Sequence, residues 1–115
     1  MRKCKNKGTM VCLIILAGAV SARAASFDCL TAKMSDERTI CAVSKLNDMD
    51  VEMATKYHFL HGLMGMGAAG ELTDTQQTWL KNRKRCGGDP ECLESRYRMR
   101  LKELNSIYDA IEKPL

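Results

Sequence analysis

The chain is poor in proline, has no alternating strand pattern and contains no long apolar run. Its two prolines are Pro90 and Pro114, so proline interrupts no helix before residue 90. Past residue 24, apolar residues recur at spacings of three and four rather than two, which excludes a sheet and predicts an all-helical chain. The longest apolar run, residues 10–20, has eleven residues, whereas a membrane-spanning helix needs roughly 20. Internal repeats and low-complexity tracts are absent. So is any catalytic pattern: no serine elbow with a base nearby, no acid/base pair of carboxylates, and no thiol left over once the cysteines pair. The reading is a non-enzyme, with no cofactor required.

What the amino terminus does contain is a leader. Arg2, Lys3, Lys5 and Lys7 precede the apolar run, and Ala22-Arg23-Ala24 follows it. That order reads as a secretory signal peptide over residues 1–24, removed after Ala24 to leave one small domain over residues 25–115. Cys12 follows Val11 and Cys29 follows Asp28, and neither neighbour suits a lipid-acceptor cysteine. The expected product is soluble, periplasmic or secreted, and not stably inserted in a membrane. Five of the 18 Lys and Arg leave with the leader and none of the 14 Asp and Glu does. The whole chain's +4 therefore becomes −1, and the basic balance belongs to the targeting segment.

Six cysteines fall to four by the same cut: Cys29, Cys41, Cys86 and Cys92. An even number in a short exported chain reads as a disulfide framework. Two bridges at about 2–4 kcal/mol each are a large share of the net stability of so small a domain.

Four helices account for the rest. Ser35 is a candidate N-cap for a short first helix, with Asp36 and Glu37 in its first turn, where carboxylates suit the helix dipole. Ile40 and Val43 face inward. A longer second helix carries Leu46, Met49, Met53, Tyr57, Leu60 and Met64 on one stripe. Residues 62–70, with Gly65, Gly67 and Gly70 at their end, read as a mobile loop. The third helix spans about 72–86 and presents Leu72, Gln76, Trp79, Leu80 and Arg83. Gly87-Gly88 stops it, and Asp89-Pro90-Glu91 starts the fourth, with Asp89 as N-cap and Pro90 in the first turn. Leu93, Tyr97, Leu101, Leu104, Tyr108 and Ile111 line that helix. Short connections favour antiparallel neighbours, so the expected fold is a small antiparallel three-to-four-helix bundle stapled by two disulfides. Cys86 ends one helix and Cys92 begins the next, within bridging range. Cys29 lies before the first helix and Cys41 within it. Spacing leaves three connectivities open, with Cys29 to Cys41 and Cys86 to Cys92 favoured.

These residues carry a resemblance. Ser26-Phe27-Asp28-Cys29, Ile40-Cys41, Leu46, Met49-Asp50, Met53 and Tyr57 are followed by Gln76-x-x-Trp79-Leu80-x-x-Arg83-x-x-Cys86 and Cys92-Leu93-x-x-x-Tyr97-x-x-Arg100-x-x-x-Leu104. Together they resemble the lysozyme-inhibitor LprI-like family of exported bacterial proteins over nearly the whole mature chain. Methionines at 49 and 53 stand where leucine is usual, and residues 62–70 are unusually rich in Gly and Met. The resemblance implies a helical, disulfide-containing extracytoplasmic domain, and lysozyme inhibition, known for some members. It also puts Arg83 and Arg100 at matching positions beside the apolar stripes. With Asp50 on the second helix, these predict a carboxylate and guanidinium network inside the bundle, specifying its packing.

Trp79, Tyr57 and Tyr97 read as core anchors. Lys81, Arg83, Lys84 and Arg85 fall in the last turns of a helix, where cations complement the dipole, and export makes nucleic acid a poor partner. From residue 81 to 102 there are eight basic residues against three acidic, a balance of +5; from 28 to 76 there are eight acidic against four basic, or −4. The acidic half includes Asp36, Glu37, Asp48, Asp50 and Glu52. An acidic surface attracts a cationic protein, and animal-type lysozymes are strongly basic. The residue 62–71 segment is the expected protrusion into a substrate cleft. Two other classes stay open. His58, His61, Met64 and Met66 are soft and borderline donors at helical spacing, of a kind that holds Cu(I) in an oxidising compartment; the other class is a structural or interaction module of the cell envelope. Zinc on the four cysteines does not fit their spacing.

Overall fold

The computed structural model describes residues 25–111, so the leader and Pro114 lie outside the described residues. Four helices follow in order: α1 (Ser35–Ala42), α2 (Ser44–Leu63), α3 (Met66–Arg85) and α4 (Pro90–Ala110). Among the described residues there is no strand, and no helix is long and apolar enough to cross a membrane.

Cross-helix pairs fix the directions. Lys45 meets Glu94, Asp50 meets Tyr97, and Phe59 meets Tyr108, so α2 and α4 run parallel. Met53 meets Gln76 and Tyr57 meets Thr73, while Trp79 meets Arg96 and Gln76 meets Arg100. α3 is thus antiparallel to both. The most extensive interface joins α2 to α4, which are not sequence neighbours. Its core is the predicted stripe: Leu46, Met53 and Leu60 of α2 against Leu93, Tyr97 and Leu104 of α4, closed by Leu72 and Trp79 of α3 and Ile40 of α1. Met49, Tyr57, Met64, Leu80 and Leu101 pack half-buried around it, and Tyr108 remains exposed.

The turn between α3 and α4 forms for the reasons its residues suggest. Gly87 adopts φ 59°, a left-handed conformation that closes the helix without a Cβ clash. Gly88 lies against α1, where an added Cβ would come within 3.0 Å of Thr39 Oγ1. The Thr39 hydroxyl donates to the Gly88 carbonyl at 3.0 Å, joining this turn to the first helix. Asp89 then caps α4, accepting from the amides of Glu91 and Cys92, with Pro90 in the first turn. One disulfide joins Cys86 to Cys92 with Cα atoms 5.5 Å apart, and the other joins Cys29 to Cys41 at 5.9 Å. The second bridge folds residues 25–34 back over the bundle, and Ala25 is part of the core.

Two local expectations are corrected. Ser35 is the first residue of α1 rather than its cap; Met34 occupies the cap position and no side chain bonds there. Residues 62–70 are not a loop. α2 continues through Leu63, α3 begins at Met66, and only Met64 and Gly65 lie between. Isolated helix glycines cost about 1 kcal/mol each relative to alanine, which Ala68, Ala69 and the buried Leu72 offset by continuing the helix. A Cβ added at Gly70 would meet nothing within 4 Å. Gly70→Ala should therefore raise the unfolding free energy by about 0.5–1 kcal/mol, read as a higher midpoint in urea; a lower midpoint would show a close approach at this face.

Candidate functional site

The most chemically loaded place in the molecule is the centre of the bundle. Asp36 of α1, Asp50 of α2, Arg83 of α3 and Tyr97 of α4 meet there, all buried. Arg83 Nε donates to Asp36 Oδ2 at 2.9 Å, and an Arg83 terminal nitrogen donates to the Tyr97 hydroxyl at 3.4 Å. Tyr97 in turn donates to Asp50 Oδ1 at 2.7 Å, an oxygen that also lies 3.7 Å from Arg83. Asp50 Oδ2 accepts from the Ser26 amide at 2.7 Å. The Phe27 ring lies 5.5 Å from the guanidinium carbon and the Trp79 ring 5.9 Å. Each helix and the leading segment thus contribute at least one partner to the cluster.

Burial by itself pulls the Arg83 pKa down, but the Tyr97 and Asp36 oxygens outweigh it and hold the guanidinium above its ordinary value. Tyr97 is driven far above the usual phenol range, first by burial and then by the Asp50 carboxylate, with Arg83 acting in the opposite sense. The phenol therefore remains an O–H donor and cannot serve as a base near neutral pH. The cluster's donors and acceptors point at one another, which gives it a packing role.

Arg100 does not belong to this cluster, contrary to the expected Asp50, Arg83 and Arg100 network. Its Nε donates to Gln76 Oε1 at 3.0 Å and its terminal nitrogens to Glu103 at 3.0 Å and Thr75 at 3.3 Å. Gln76 passes the connection on, donating to Met53 Sδ at 3.2 Å. Tyr97 and Arg100 are one turn apart on α4, and that displacement carries Arg100 along α3 to a different partner. Asp36 is the member that pattern reading assigned elsewhere. As a first-turn carboxylate it suited the helix dipole, and nothing local revealed its pairing with a residue 47 positions away. Asp36 and Asp50, at 1 % and 0 % exposure, are therefore removed from the acidic surface, leaving Asp28, Asp48, Glu52, Glu71 and Asp74 exposed there, with Glu37 half-buried.

Trp79 donates its indole N–H to the Arg96 carbonyl at 3.1 Å and meets Tyr97 edge-on at 5.0 Å. On its outer side a groove of about 910 Å³ runs between α3 and α4, bounded by Asn82, Met99, Arg100, Ser106 and Ile107. A smaller apolar recess of about 320 Å³ lies between α2 and α4 beside Phe59, Leu60, Leu104 and Tyr108.

The far end of the α2–α3 hairpin is the other distinctive region. Leu63 and Met66 are exposed there, Met66 at 94 %, and Phe59 is exposed one turn back. Side chains placed at Gly62, Gly65, Gly67 or Gly70 would meet nothing within 4 Å, so these positions face open space among the described residues. His58 and His61 are exposed on the same stretch of α2. His61 Nε2 lies 3.1 Å from Thr73 Oγ1, and both histidine rings touch Tyr57. Met64 sits half-buried at the connection and Met66 opens α3. Among the described residues no three His, Cys, Asp or Glu side chains converge as a metal-ion site.

The fold and site define a two-disulfide, all-helical bundle organised around a buried ionic cluster. No family model matches the chain, and no similar curated protein or solved structure was found.

Asp36→Ala should cost about 3–5 kcal/mol of unfolding free energy, because it leaves the Arg83 Nε–H buried without its carboxylate. Tyr97→Phe should cost about 1–3 kcal/mol by leaving Asp50 Oδ1 short of a donor. Chemical denaturation measures both, and losses no larger than those of surface substitutions would count against the cluster.

Proposed function

We propose that the chain is exported, loses residues 1–24, and acts in the periplasm or outside the cell by binding another protein, with a lysozyme as the partner. The observation that carries the reading is the group of exposed apolar side chains at the α2–α3 tip. An inhibitor of a cleft-bearing enzyme needs a narrow, rigid projection with apolar groups at its end, and Leu63, Met66 and Phe59 supply such groups. A helical hairpin with a two-residue connection loses little conformational freedom on docking, which favours affinity. Exposed large apolar side chains gathered in one place mark interaction surfaces. The resemblance to the LprI-like family supports a lysozyme as the target. Asp48 and Glu52, exposed on α2, add an acidic flank that speeds encounter with a basic protein.

The inward orientation of the buried ionisable groups argues for binding rather than catalysis. Arg83, Asp36, Asp50 and Tyr97 satisfy one another, and Arg100 is held by Gln76, Thr75 and Glu103. The two disulfides keep the framework fixed beneath the tip.

Purified mature protein added to several lysozyme types in a cell-wall lysis assay should slow at least one of them. No inhibition of any type, with the protein well above enzyme concentration, would sink the reading. Replacing Leu63 and Met66 together by aspartate should weaken inhibition by about tenfold or more while the melting temperature stays within about 2 °C, since both side chains lie on the surface. Undiminished inhibition by that variant would move the contact away from the tip.

A further inference from the structure

We propose that removal of the leader supplies a structural charge: the α-amino group freed at Ala25 seats beside the buried Asp50 carboxyl and completes the Arg83 cluster. The inference rests on the cleavage reading above and goes beyond it by giving the new amino terminus a task inside the fold.

The central cluster is unbalanced as the described side chains stand. Asp36 and Asp50 are both buried, and Arg83 is the one cation among the described residues in ion-pair range of either. Arg83 favours Asp36, at 2.9 Å, over Asp50, at 3.7 Å. Two carboxyl groups share one guanidinium at a site shielded from water, where an uncompensated charge is costly. Tyr97 answers one oxygen of Asp50 with a neutral hydroxyl. The other oxygen, Oδ2, is turned to the leading segment and accepts from the Ser26 amide at 2.7 Å.

That contact fixes the geometry. The nitrogen of Ala25 is three backbone bonds before the Ser26 nitrogen, so it lies within about 6 Å of Asp50 Oδ2. Ala25 is itself buried and part of the core, which holds the backbone here against the bundle. In the uncut chain the Ala25 nitrogen is a neutral peptide amide. After cleavage at Ala24 it is an ammonium group, and an opposite charge at that range stabilises a buried carboxylate. Hydrolysis of the Ala24–Ala25 peptide bond, with water as co-reactant, thus adds one positive charge where the cluster lacks one. The cut that completes export also tightens the fold.

The titratable groups of the cluster, one from each helix, are Asp36 from α1, Asp50 from α2, Arg83 from α3 and Tyr97 from α4. Arg83 and Tyr97 are both held above their ordinary values and keep their protons through the range in which an α-amino group titrates. An amine paired with Asp50 has its folded pKa raised above the unfolded value of about 8. Its contribution is full below about pH 8 and is lost as pH rises through the folded pKa.

The test uses the full chain expressed with its leader. The exported product is collected, its first residue is read by mass spectrometry, and its thermal stability is followed from about pH 6 to pH 10. A second chain carries Gly-Ser inserted between Ala24 and Ala25, which moves the amine about 7 Å further along the chain. Asp50→Asn is made in both. The expected product begins at Ala25 and loses stability above about pH 8. The inserted product melts about 4 °C or more lower at neutral pH, with no such loss on raising pH, and the insertion has no effect beside Asp50→Asn. A product beginning elsewhere overturns the cleavage reading and the proposal with it. A product beginning at Ala25 whose pH profile matches that of the inserted chain overturns the ion pair and leaves the cleavage reading standing. An insertion effect that persists beside Asp50→Asn likewise overturns the assignment to Asp50.

Discussion

The ion pair between Arg83 and Asp36 is the constraint on which the other packing depends. It ties the last turns of α3 to a helix of only eight residues, and a helix that short is unstable unless something holds it. Through Tyr97 the same guanidinium reaches Asp50, so α2 and α4 are fixed in register along their shared interface. Removing a charged group from water is expensive, and a buried pair repays the cost only when its remaining hydrogen-bond positions are filled. The Tyr97 hydroxyl accepts from Arg83, and the Ser26 amide and Tyr97 donate to the neighbouring Asp50. Apolar stripes alone would let α2 and α4 slide by a turn, whereas the charges accept one alignment.

The disulfides act on the same end of the molecule. Cys29 to Cys41 holds the leading segment against α1, and Cys86 to Cys92 closes the turn into α4. Thr39 bonded to Gly88 links the two regions. Covalent, ionic and hydrogen-bonded constraints thus reinforce one another there, and Lys45 bonded to Glu94 extends the set to the start of α2.

Much of this was legible in the residues. The three-and-four spacing of Leu46, Met53 and Leu60, and of Leu93, Tyr97 and Leu104, marks faces that are buried in the fold. Asp89-Pro90 marked a helix start because cap and proline both act locally. The misreadings share the opposite property. Asp36 looks like a dipole-complementing surface residue because its partner lies on another helix. Arg83 and Arg100 both fall beside apolar stripes, and only the offset between α3 and α4 separates their partners. The glycines near residue 65 suggested a loop because glycine lowers helix propensity, yet a modest penalty is overruled when flanking residues continue the helix. Pattern reading resolves what a segment does for itself and is blind to what a distant segment does for it. The exposure of the apolar side chains at the tip, which carries the functional reading, belongs to the second kind.

The hairpin tip lies at the end opposite both disulfides, and this gives the molecule a gradient of local stability. Opening free energies vary across a fold with the density of buried contacts and cross-links. Backbone amides near Arg83 and Cys86 are expected to exchange with solvent only when most of the structure opens, and those at the α2–α3 connection through smaller, local openings. The tip is held by packing alone, whereas the other end is held by packing, covalent bonds and buried charge. After a local opening at the tip, the stapled end still holds the helices in register and guides their return.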